Sequence, residues 1–418
     1  MALKDEILKI SLKAKSAAHD LALLSSETKN KALRDMACGL KKNSGSILSA
    51  NRKDLLIAKK RGLSAAFLER LALNPKRIIE MAKSLESIAR LTDPVGEIIN
   101  MRKRPNGLVI GKMRVPIGVI GIIYESRPNV TSDCIGLCLK SSNSVILRGG
   151  SDAINSNLAI FRILNSIAAK NKIPEGSINI IPTAERKAVD ILLKMDEYID
   201  LIIPRGGEGL IREVVSKSRI PVIKHYKGVC HIYVDESADI NMAANVSLNA
   251  KVQRPATCNA METLLVNKKI AGKFLPVMIN KFKKAGVEIR GCPLTRRIIP
   301  DIKIAKDKDF YTEYLDLILS VKVVKDINEA IRHIAKYGTM HSDSIITQNP
   351  KNAFKFLKEV DSAAVYVNAS TRFTDGYQFG LGAEMGISTG KLHARGPMGL
   401  EELTTYKYIV FGEGQIRK

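Results

Sequence analysis

The sequence lacks the features that would place it in a membrane or outside the cell. No apolar run reaches the ~18 residues that a membrane span requires. The N-terminus alternates Lys, Asp and Glu with Leu and Ile instead of forming the apolar core of a signal peptide. We therefore expect a cytoplasmic protein with no membrane partner.

Cysteine is scarce, with six in 418 residues, and the six are scattered. This number excludes a disulfide framework in a chain of this length. Cys134 and Cys138 lie four residues apart in an apolar helical stretch, but no second ligand pair lies nearby in the sequence. The spacing therefore favours two small buried side chains over a metal site, and no metal is predicted.

Blocks of like charge are also missing, although 66 Lys and Arg against 42 Asp and Glu give a net charge of +24. The basic residues are spread along amphipathic helices, and no helix-turn-helix, zinc-finger or RNP-type motif accompanies them. We expect no nucleic-acid partner. The basic field would instead raise the local concentration of small anions.

The length predicts two domains, because a single core stops growing near ~250–300 residues. The stretch from Leu3 to Leu91 has the period of amphipathic helices. Gly62 suits a helix end, Ser64 can cap the next helix, and Asn74-Pro75 is a cap followed by a first-turn proline. The chain therefore opens with helices.

A hairpin arm follows these helices. Two strand-like segments, Ile98 to Arg104 and Leu108 to Val115, are joined through Pro105-Asn106-Gly107, and Asn-Gly is the strongest short hairpin signal. Such an arm has little core of its own and must lie on another surface.

From Val119 onward the sequence is typical of an α/β fold with a doubly wound parallel sheet, because β-branched runs alternate with helical stretches. Ligands of such sheets bind at the carboxyl ends of the strands. A second α/β section runs from Cys230 to Met385, and Thr404 to Phe411 forms a further strand without an obvious sheet. The predicted strands of the first sheet are Val119–Ile123, Val145–Leu147, Ile178–Ile181 and Leu201–Ile203.

Two loops after these strands could hold a phosphate. The segment Arg148-Gly149-Gly150-Ser151 follows a buried-type strand and opens a helix, which would supply free backbone N–H groups and a guanidinium. The segment from Arg205 through Gly206 and Gly207 repeats this arrangement one βα unit later. Taken alone, the first segment is a weak signal that a tight turn with a solvated arginine would explain more readily, and the second makes coincidence less credible. Neither is a G-x-G-x-x-G or P-loop motif.

Cys258 is the candidate nucleophile. It lies in a polar turn between a helical run and an apolar strand, and Arg254 in the same turn would favour the reactive thiolate. A lone cysteine is more often a small buried side chain, but Thr257 and Asn259 are polar flanks that argue against a core position. Further acid or base candidates, on residue type alone, are His225, His231, His341 and His393.

Several long segments occur in an order that is similar to one family. They are Val115–Gly121, Tyr124–Val130, Ile146–Gly150, Asp200–Gly207, the Cys258 turn, Ala330–Ile334 with His341–Ile345, and Gly380–Ser388 with Ala394–Pro397. Together they resemble the aldehyde dehydrogenase superfamily over nearly the whole chain. More narrowly, they resemble its gamma-glutamyl phosphate reductase family.

This resemblance implies roles for individual residues. Cys258 would be the catalytic thiol, and the Asn129 amide would form an oxyanion hole with the Cys258 backbone N–H. Arg148 occupies the position of the lysine that binds the adenosine ribose in the superfamily. Ser151 occupies the position of the glutamate with which NAD-preferring members bind that ribose. Glu313 occupies the position of the glutamate that binds the nicotinamide ribose. Because Arg148 would pair with a 2′-phosphate, NADPH is implied. The implied cofactor-binding residues are Arg148, Gly149, Gly150, Ser151, Arg205, Gly206, Gly207 and Glu313.

The resemblance also implies the reaction, the NADPH-dependent reduction of L-glutamyl 5-phosphate to L-glutamate 5-semialdehyde and phosphate in proline biosynthesis. Hydrolytic members carry a water-activating glutamate before a Gly-Gly pair, and here Val222–Gly228 contains no acid. The acyl-enzyme would therefore resist water. Arg127, Arg254 and Arg372 would bind the leaving phosphate and the α-carboxylate, or would serve equally well as structural ion-pair partners.

The implied domains are an NADPH-binding domain at 1–97 and 118–228, a catalytic domain at 229–388, and an oligomerisation hairpin and strand at 98–117 and 399–418. A homo-oligomer, dimer or tetramer, is implied, and uncovered edge strands give an independent reason to expect one. Association with glutamate 5-kinase, the enzyme that makes the acyl phosphate, is left open.

Two alternatives to this function remain. A coenzyme A-acylating aldehyde dehydrogenase would share the thiol and the missing water-activating acid. From another class, the chain could be a non-catalytic, basic nucleic-acid-binding protein on a dehydrogenase scaffold, although no motif supports this interpretation.

Overall fold

The structure, a computed structural model, describes residues 3–125, 127–224 and 226–417, so Ser126 and His225 lie outside the described residues. The chain forms two compact units. The first comprises residues 1–224, 380–386 and 398–418, and the second comprises 225–379 and 387–397. The assignment of cofactor-binding, catalytic and oligomerisation roles to parts of the chain stays a prediction.

The first unit opens with helices whose ends confirm the predicted capping residues. The Ser64 hydroxyl accepts a hydrogen bond from the Phe67 amide, and the Asn74 side chain accepts one from Arg77, with Pro75 in the first turn. Gly62 has φ +69°, the left-handed conformation with which glycine ends a helix. The helices are α1 (Leu3–Ala22), α2 (Ser26–Lys42), α3 (Ser44–Lys60), α4 (Ala65–Leu71) and α5 (Pro75–Arg90).

The predicted hairpin is confirmed as the antiparallel strands β1 (Ile98–Lys103) and β2 (Val109–Pro116). In its turn the Gly107 amide donates to the Arg104 carbonyl at 2.9 Å. Gly107 has φ +87°, which a residue with a Cβ rarely adopts and which explains the Asn-Gly signal.

The predicted parallel sheet is also confirmed, in the strand order β5-β4-β3-β6. Its β-branched runs are buried on both faces, as parallel strands covered by helices must be. Since the order reverses at β3, the ends of β3 and β6 flank the position where such sheets bind ligands. The elements are β3 (Val119–Tyr124), α6 (Asn129–Lys140), β4 (Ser144–Gly149), α7 (Ile154–Lys170), β5 (Ile178–Ile180), α8 (Arg186–Leu192), β6 (Leu201–Arg205) and α9 (Glu208–Lys217).

The second unit is built on another parallel sheet, in the order β10-β9-β11-β8-β7-β12-β13. All of its described strand pairings are parallel. Its elements are β7 (Cys230–Val234), α10 (Ile240–Val252), β8 (Met261–Asn267), α11 (Lys268–Lys284), β9 (Glu288–Gly291), α12 (Pro293–Ile298), β10 (Lys303–Ile304), α13 (Asp307–Phe310), β11 (Ile318–Val324), α14 (Ile327–Tyr337), β12 (Ser342–Ile346), α15 (Pro350–Glu359) and β13 (Ala364–Val367).

Three short or late strands complete the fold. In the second unit, β14 (Ile387–Ser388) and β15 (Gly396–Pro397) form a small antiparallel pair. In the first unit, β16 (Thr404–Phe411) has the bounds predicted from the sequence. It pairs antiparallel with β2 along its whole length, which gives the sheet order β1-β2-β16. The hairpin arm thus carries the C-terminal strand.

Apolar side chains fill each unit separately. In the second unit, Phe274 and Phe282 of α11 belong to a fully buried cluster around the sheet. In the first, Ile7 of α1 packs with Ile146 and Ile202 of the parallel sheet. Within the ranges that the structure describes, no helix has both the length and the apolar character needed to cross a membrane.

Candidate active site

Cys258 lies in the second unit, in the turn between α10 and β8. Its side chain is partly exposed, whereas Cys134, Cys138, Cys230 and Cys292 are buried. Burial raises the pKa of the Cys134 thiol to about 12 and shifts those of Cys138 and Cys230 in the same direction, so these thiols stay protonated. Cys258 combines partial exposure with a polar turn, as a nucleophile requires.

Buried polar contacts fix the turn that carries Cys258. The Asn259 side-chain amide donates to the Thr374 carbonyl at 2.8 Å, and the Thr371 hydroxyl donates to the Asn259 carbonyl at 2.7 Å. A Cβ at Gly228 would lie 1.7 Å from the Cys258 carbonyl oxygen, so only glycine allows this approach. The backbone that carries the thiol is therefore held by contacts within its own unit.

Two of the predicted substrate-binding arginines belong to the surroundings of this turn. The Arg372 guanidinium donates to Asn259 Oδ1 and, through Nε at 2.9 Å, to Gln253 Oε1. Burial lowers the pKa of Arg372, and the neighbouring Arg254 guanidinium lowers it further. The third predicted arginine, Arg127, lies in the first unit, after β3.

Glu313 lies in the loop between α13 and β11 and contacts the glycine that adjoins Cys258. The Gly228 amide donates to Glu313 Oε1 at 2.8 Å, and the neighbouring Lys227 ammonium donates to the Tyr311 carbonyl at 2.9 Å. The second unit therefore brings Cys258 and Glu313 into contact with one residue, Gly228.

Asn129 is the first residue of α6 in the first unit, just beyond the carboxyl end of β3. Its side-chain amide donates to Asp133 Oδ2 at 3.4 Å, and the Ser84 hydroxyl donates to the other carboxylate oxygen at 2.9 Å. Burial raises the pKa of Asp133. These contacts orient the exposed Asn129 side chain.

Arg148 lies at the carboxyl end of β4 and is almost fully buried. Its Nη2 donates to the carbonyls of Ala184 and Glu185 at 2.9 and 3.1 Å, and its buried Nε has no partner among the described residues. Burial lowers its pKa, and the positive Arg186 lowers it further. Ser151, three residues on, is exposed. The Arg148 guanidinium is thus fixed in place, and Ser151 carries no carboxylate at the position three residues further on.

The start of α7 differs from the prediction. The amides of Asn155 and Ser156 donate to the two carboxylate oxygens of Asp54 in α3, at 3.2 and 2.8 Å. The Ser156 hydroxyl adds a third bond of 2.6 Å. The prediction of a free helix end after Arg148 is therefore wrong at these two amides, because a buried protein carboxylate already occupies the place of an anion. The roles of Gly149, Gly150 and Ser151 stay predictions.

The start of α9 leaves more space. Glu125 Oε2 accepts a hydrogen bond from the Gly207 amide at 2.9 Å, and a Cβ at Gly206 would overlap the same carboxylate. A Cβ at Gly207 or Gly209 would meet no atom within 4 Å. The next amides, from Glu208 onward, lie in the first turn, where a helix offers them no acceptor. The Gly207 amide is thus occupied by Glu125, and it is the amides from Glu208 onward that fit the phosphate of an anionic dinucleotide.

The histidines offered as acid or base candidates have other surroundings in the described residues. His231 is buried and its Nδ1 lies 3.0 Å from Asp343 Oδ1, whereas His341 Nδ1 lies 2.9 Å from the Ser342 hydroxyl. His393 is exposed, and His225 lies outside the described residues. In the part of the chain that the structure describes, no group of three or more His, Cys, Asp or Glu side chains could hold a metal ion.

The contacts that hold these site residues were missed by the sequence reasoning. Asp54 and Glu125 accept hydrogen bonds from amides 101 and 82 residues further along the chain, and such distances leave no local signal. Gly228 follows a polar segment, which is a weak signal because many glycines do so.

Comparison with known proteins defines the class of this fold and site. The model of the aldehyde dehydrogenase family matches residues 2–293. The chain therefore belongs to the aldehyde dehydrogenase family, and membership implies a nicotinamide cofactor. The fold agrees: an acetylating aldehyde dehydrogenase from Geobacillus thermoglucosidasius superposes with a TM-score of 0.71 at 18% identity, covering 100% of this chain and 98% of the other.

Relatives of much higher identity define its place within that family. The gamma-glutamyl phosphate reductase of Thermodesulfovibrio yellowstonii is 59% identical to this chain, and the match covers 100% of both sequences. That of Caldanaerobacter subterraneus subsp. tengcongensis is 61% identical, and the match covers 97% of this chain and 98% of the relative. The crystal structure of the Thermotoga maritima gamma-glutamyl phosphate reductase matches with a TM-score of 0.97 at 52% identity, covering 99% and 100%. The chain is a member of the gamma-glutamyl phosphate reductases, oxidoreductases of the aldehyde dehydrogenase fold, as its segments predicted.

Proposed function

We propose that this chain reduces L-glutamyl 5-phosphate to L-glutamate 5-semialdehyde and phosphate with NADPH, through a thioester on Cys258. The observation that carries the proposal is the fixed polar turn of Cys258, with the Arg254 and Arg372 guanidinium groups close by, in a chain 61% identical to a gamma-glutamyl phosphate reductase. The reaction would be the second step of proline biosynthesis from glutamate.

In the first step the Cys258 thiolate attacks the γ-acyl carbon of the substrate. By the family resemblance, the oxyanion that forms accepts hydrogen bonds from the Asn129 side-chain amide and the Cys258 backbone N–H. Collapse of this intermediate breaks the bond between the acyl carbon and the bridging oxygen of the phosphate group. Phosphate leaves with that electron pair, and the thioester remains on Cys258. Removal of one oxyanion donor typically lowers the rate by ~10²–10³.

The arginines would bind the two anionic ends of the substrate. Arg372 is held in one orientation by Gln253 and Asn259, which suits a bidentate contact with phosphate or carboxylate. Arg254 is exposed and Arg127 belongs to the other unit, so each could take the remaining anionic group.

The segment 222–228 bears on the fate of the thioester. It contains no Asp or Glu, so it offers no carboxylate that could activate water for attack on the acyl group. The acyl group would persist until it is reduced.

The family resemblance assigns NADPH to residues at and just after the carboxyl ends of β4 and β6 and to Glu313. Arg148 would pair with the 2′-phosphate, and the exposed residue Ser151 carries no charge that would repel it. The turn at Gly206 and Gly207 would admit the pyrophosphate, and Glu313 would bind the nicotinamide ribose. When bound, NADPH supplies the hydride that converts the thioester to the aldehyde.

The test is the reverse reaction, in which NADP⁺ reduction is followed with pyrroline-5-carboxylate, the cyclised product, and phosphate. We expect Cys258→Ser to lower the rate by more than ~10³, because the hydroxyl is a far weaker nucleophile without a base. Cys38→Ser, which changes an exposed cysteine outside the site, is the control and should keep full activity. Full activity of Cys258→Ser would rule out Cys258 as the nucleophile. A rate supported by coenzyme A instead of phosphate would favour the acylating aldehyde dehydrogenase.

A further inference from the structure

A charged pair is completely buried in the second unit, between α10 and β8. Lys251 Nζ lies 2.6 Å from Glu262 Oε2, and both side chains are 0% exposed. Burial raises the pKa of Glu262 to about 7 and lowers that of Lys251, although each partner opposes the shift of the other. Because desolvation offsets so much of the attraction in such a pair, stability is a weak reason for its presence.

The second oxygen of Glu262 contacts the 311–316 loop, which carries Glu313. Glu262 Oε1 accepts a hydrogen bond from the Leu315 amide at 3.2 Å. Leu315 has φ +54°, a left-handed conformation that residues with a side chain rarely adopt. A partner that fixes the amide of this residue therefore helps to hold the loop in its conformation.

Other contacts hold the loop before, at and after Glu313. The Tyr314 hydroxyl bonds to the Ser320 hydroxyl at 2.9 Å and donates to the Asp309 carbonyl at 3.2 Å. The Tyr311 carbonyl accepts a hydrogen bond from Lys227, and the Glu313 carboxylate accepts one from the Gly228 amide. Glu262 thus supplies the anchor of the backbone at Leu315, and Tyr314 supplies a side-chain anchor beside it. Lys227 and Gly228 supply the anchors before and at Glu313. Glu313 is held between them.

We propose that Lys251 and Glu262 are positioning residues for the cofactor. Lys251 fixes the Glu262 carboxylate, Glu262 fixes Leu315, and the loop in turn sets the Glu313 carboxylate. This inference rests on the proposed role of Glu313 at the nicotinamide ribose. Neither Lys251 nor Glu262 reaches the surface, so both act through Glu313.

Two double variants separate this role from simple packing. Lys251→Met with Glu262→Gln removes both charges but keeps a carbonyl oxygen that can accept from Leu315, whereas Lys251→Met with Glu262→Leu keeps only the volume. In the reverse reaction we expect the Met/Leu variant to raise the KM for NADP⁺ about tenfold, as loss of one positioned hydrogen bond does. The Met/Gln variant should stay within about threefold, and the KM for phosphate should not change in either.

The outcomes distinguish two failures. An equal KM for NADP⁺ in the two double variants overturns the positioning role, once both are shown to be folded by thermal unfolding. Glu313→Gln is measured beside them: if it leaves the KM for NADP⁺ unchanged, the proposed role of Glu313 itself is wrong. If only Glu313→Gln raises it, the ribose contact stands and the positioning role fails.

Hydrogen exchange of the unaltered enzyme gives a test that does not depend on the folding of any variant. The Leu315 amide should exchange more slowly than an exposed loop amide, because a buried carboxylate accepts its hydrogen bond. Exchange at the rate of an exposed loop would contradict the proposal.

Discussion

At the scale of single residues, Gly228 determines the geometry of the candidate site residues in the second unit. Its missing Cβ admits the Cys258 carbonyl, and its amide binds the Glu313 carboxylate. The Cys230 thiol donates to the same Cys258 carbonyl at 3.2 Å. One glycine therefore fixes the proposed nucleophile relative to the proposed ribose ligand.

We predict that Gly228→Ala lowers kcat of the reverse reaction by about 100-fold. The added Cβ would lie 1.7 Å from the Cys258 carbonyl oxygen, so the turn must shift by more than an ångström, and a displacement of ~1 Å at a reacting group can cost ~10² in rate. Steady-state kinetics and the rate of Cys258 alkylation by iodoacetamide measure the effect.

Gly272→Ala is the matched control for this prediction. Gly272 is exposed within α11 of the same unit, and a Cβ there meets no atom within 4 Å. Alanine should stabilise the helix by about 0.5–1 kcal/mol and leave kcat unchanged. If Gly228→Ala were as active as Gly272→Ala, the close approach to Cys258 would have no part in catalysis.

The sequence located individual site residues better than their supports. Cys258 could be found because polar neighbours in its own turn argue against a core position. Lys251 and Glu262 were missed, although a charge inside an apolar helix and another at the start of a buried strand were visible signals. Their meaning depends on a contact with Leu315, 53 residues from Glu262, which no local pattern encodes.

At the scale of elements, α14 carries an aromatic and imidazole cluster that links its stability to pH. The His333 ring lies 5.0 Å from the Phe310 ring and 4.3 Å from the Tyr337 ring. Burial lowers the pKa of His333 to about 2, and the positive Lys322 and Lys336 oppose its protonation further. The imidazole is therefore neutral in the folded protein at every physiological pH.

This shift predicts that acid destabilises the fold. In the unfolded chain His333 takes up a proton near pH 6.5, whereas in the folded chain it does so only near pH 2. The contribution of the neutral imidazole is complete above pH 6.5 and is lost as the pH falls from 6.5 towards 2. From pH 7.5 to 5.5 the free energy of unfolding should fall by about 1 kcal/mol through this group. Urea unfolding at the two pH values measures the loss.

His333→Phe removes the titrating group while keeping a ring beside Phe310 and Tyr337. The variant should lose less stability than the unaltered chain over the same pH interval, by about 1 kcal/mol. An identical loss in both proteins would show that His333 does not titrate on unfolding in this range.

Elements were predicted well where their signals are local and less well where pairing is distant. The runs at Val119–Ile123 and Thr404–Phe411 gave strands with bounds close to those of β3 and β16, because β-branched and aromatic residues lie between turn residues. The pairing of β16 with β2 joins segments almost 300 residues apart, as in Thr404 with Pro116. The strand alone could not indicate this partner.

At the scale of the whole molecule, the net charge of +24 opposes association between copies of the chain, whereas the uncovered arm favours it. Like charges on two copies repel each other, whereas β16 forms one edge of its sheet and leaves Tyr406, Tyr408 and Val410 exposed on one face. An uncovered edge with apolar side chains favours a second copy of the chain. The proposed homo-oligomer therefore requires apolar contact to outweigh repulsion, and moderate salt should strengthen it by screening.

We predict that Val410→Glu weakens the oligomer without unfolding the chain. Val410 is 54% exposed on the strand, so its replacement costs little in the single chain, whereas a carboxylate buried against a partner would lose its hydration. Light scattering coupled to size exclusion should show a shift towards the monomer. Thr405→Glu adds the same charge to an exposed residue whose side chain points to the opposite face of β16 and should leave the assembly unchanged. If both variants kept the mass of the unaltered protein, the Val410 face of the arm could not be the surface that joins the copies.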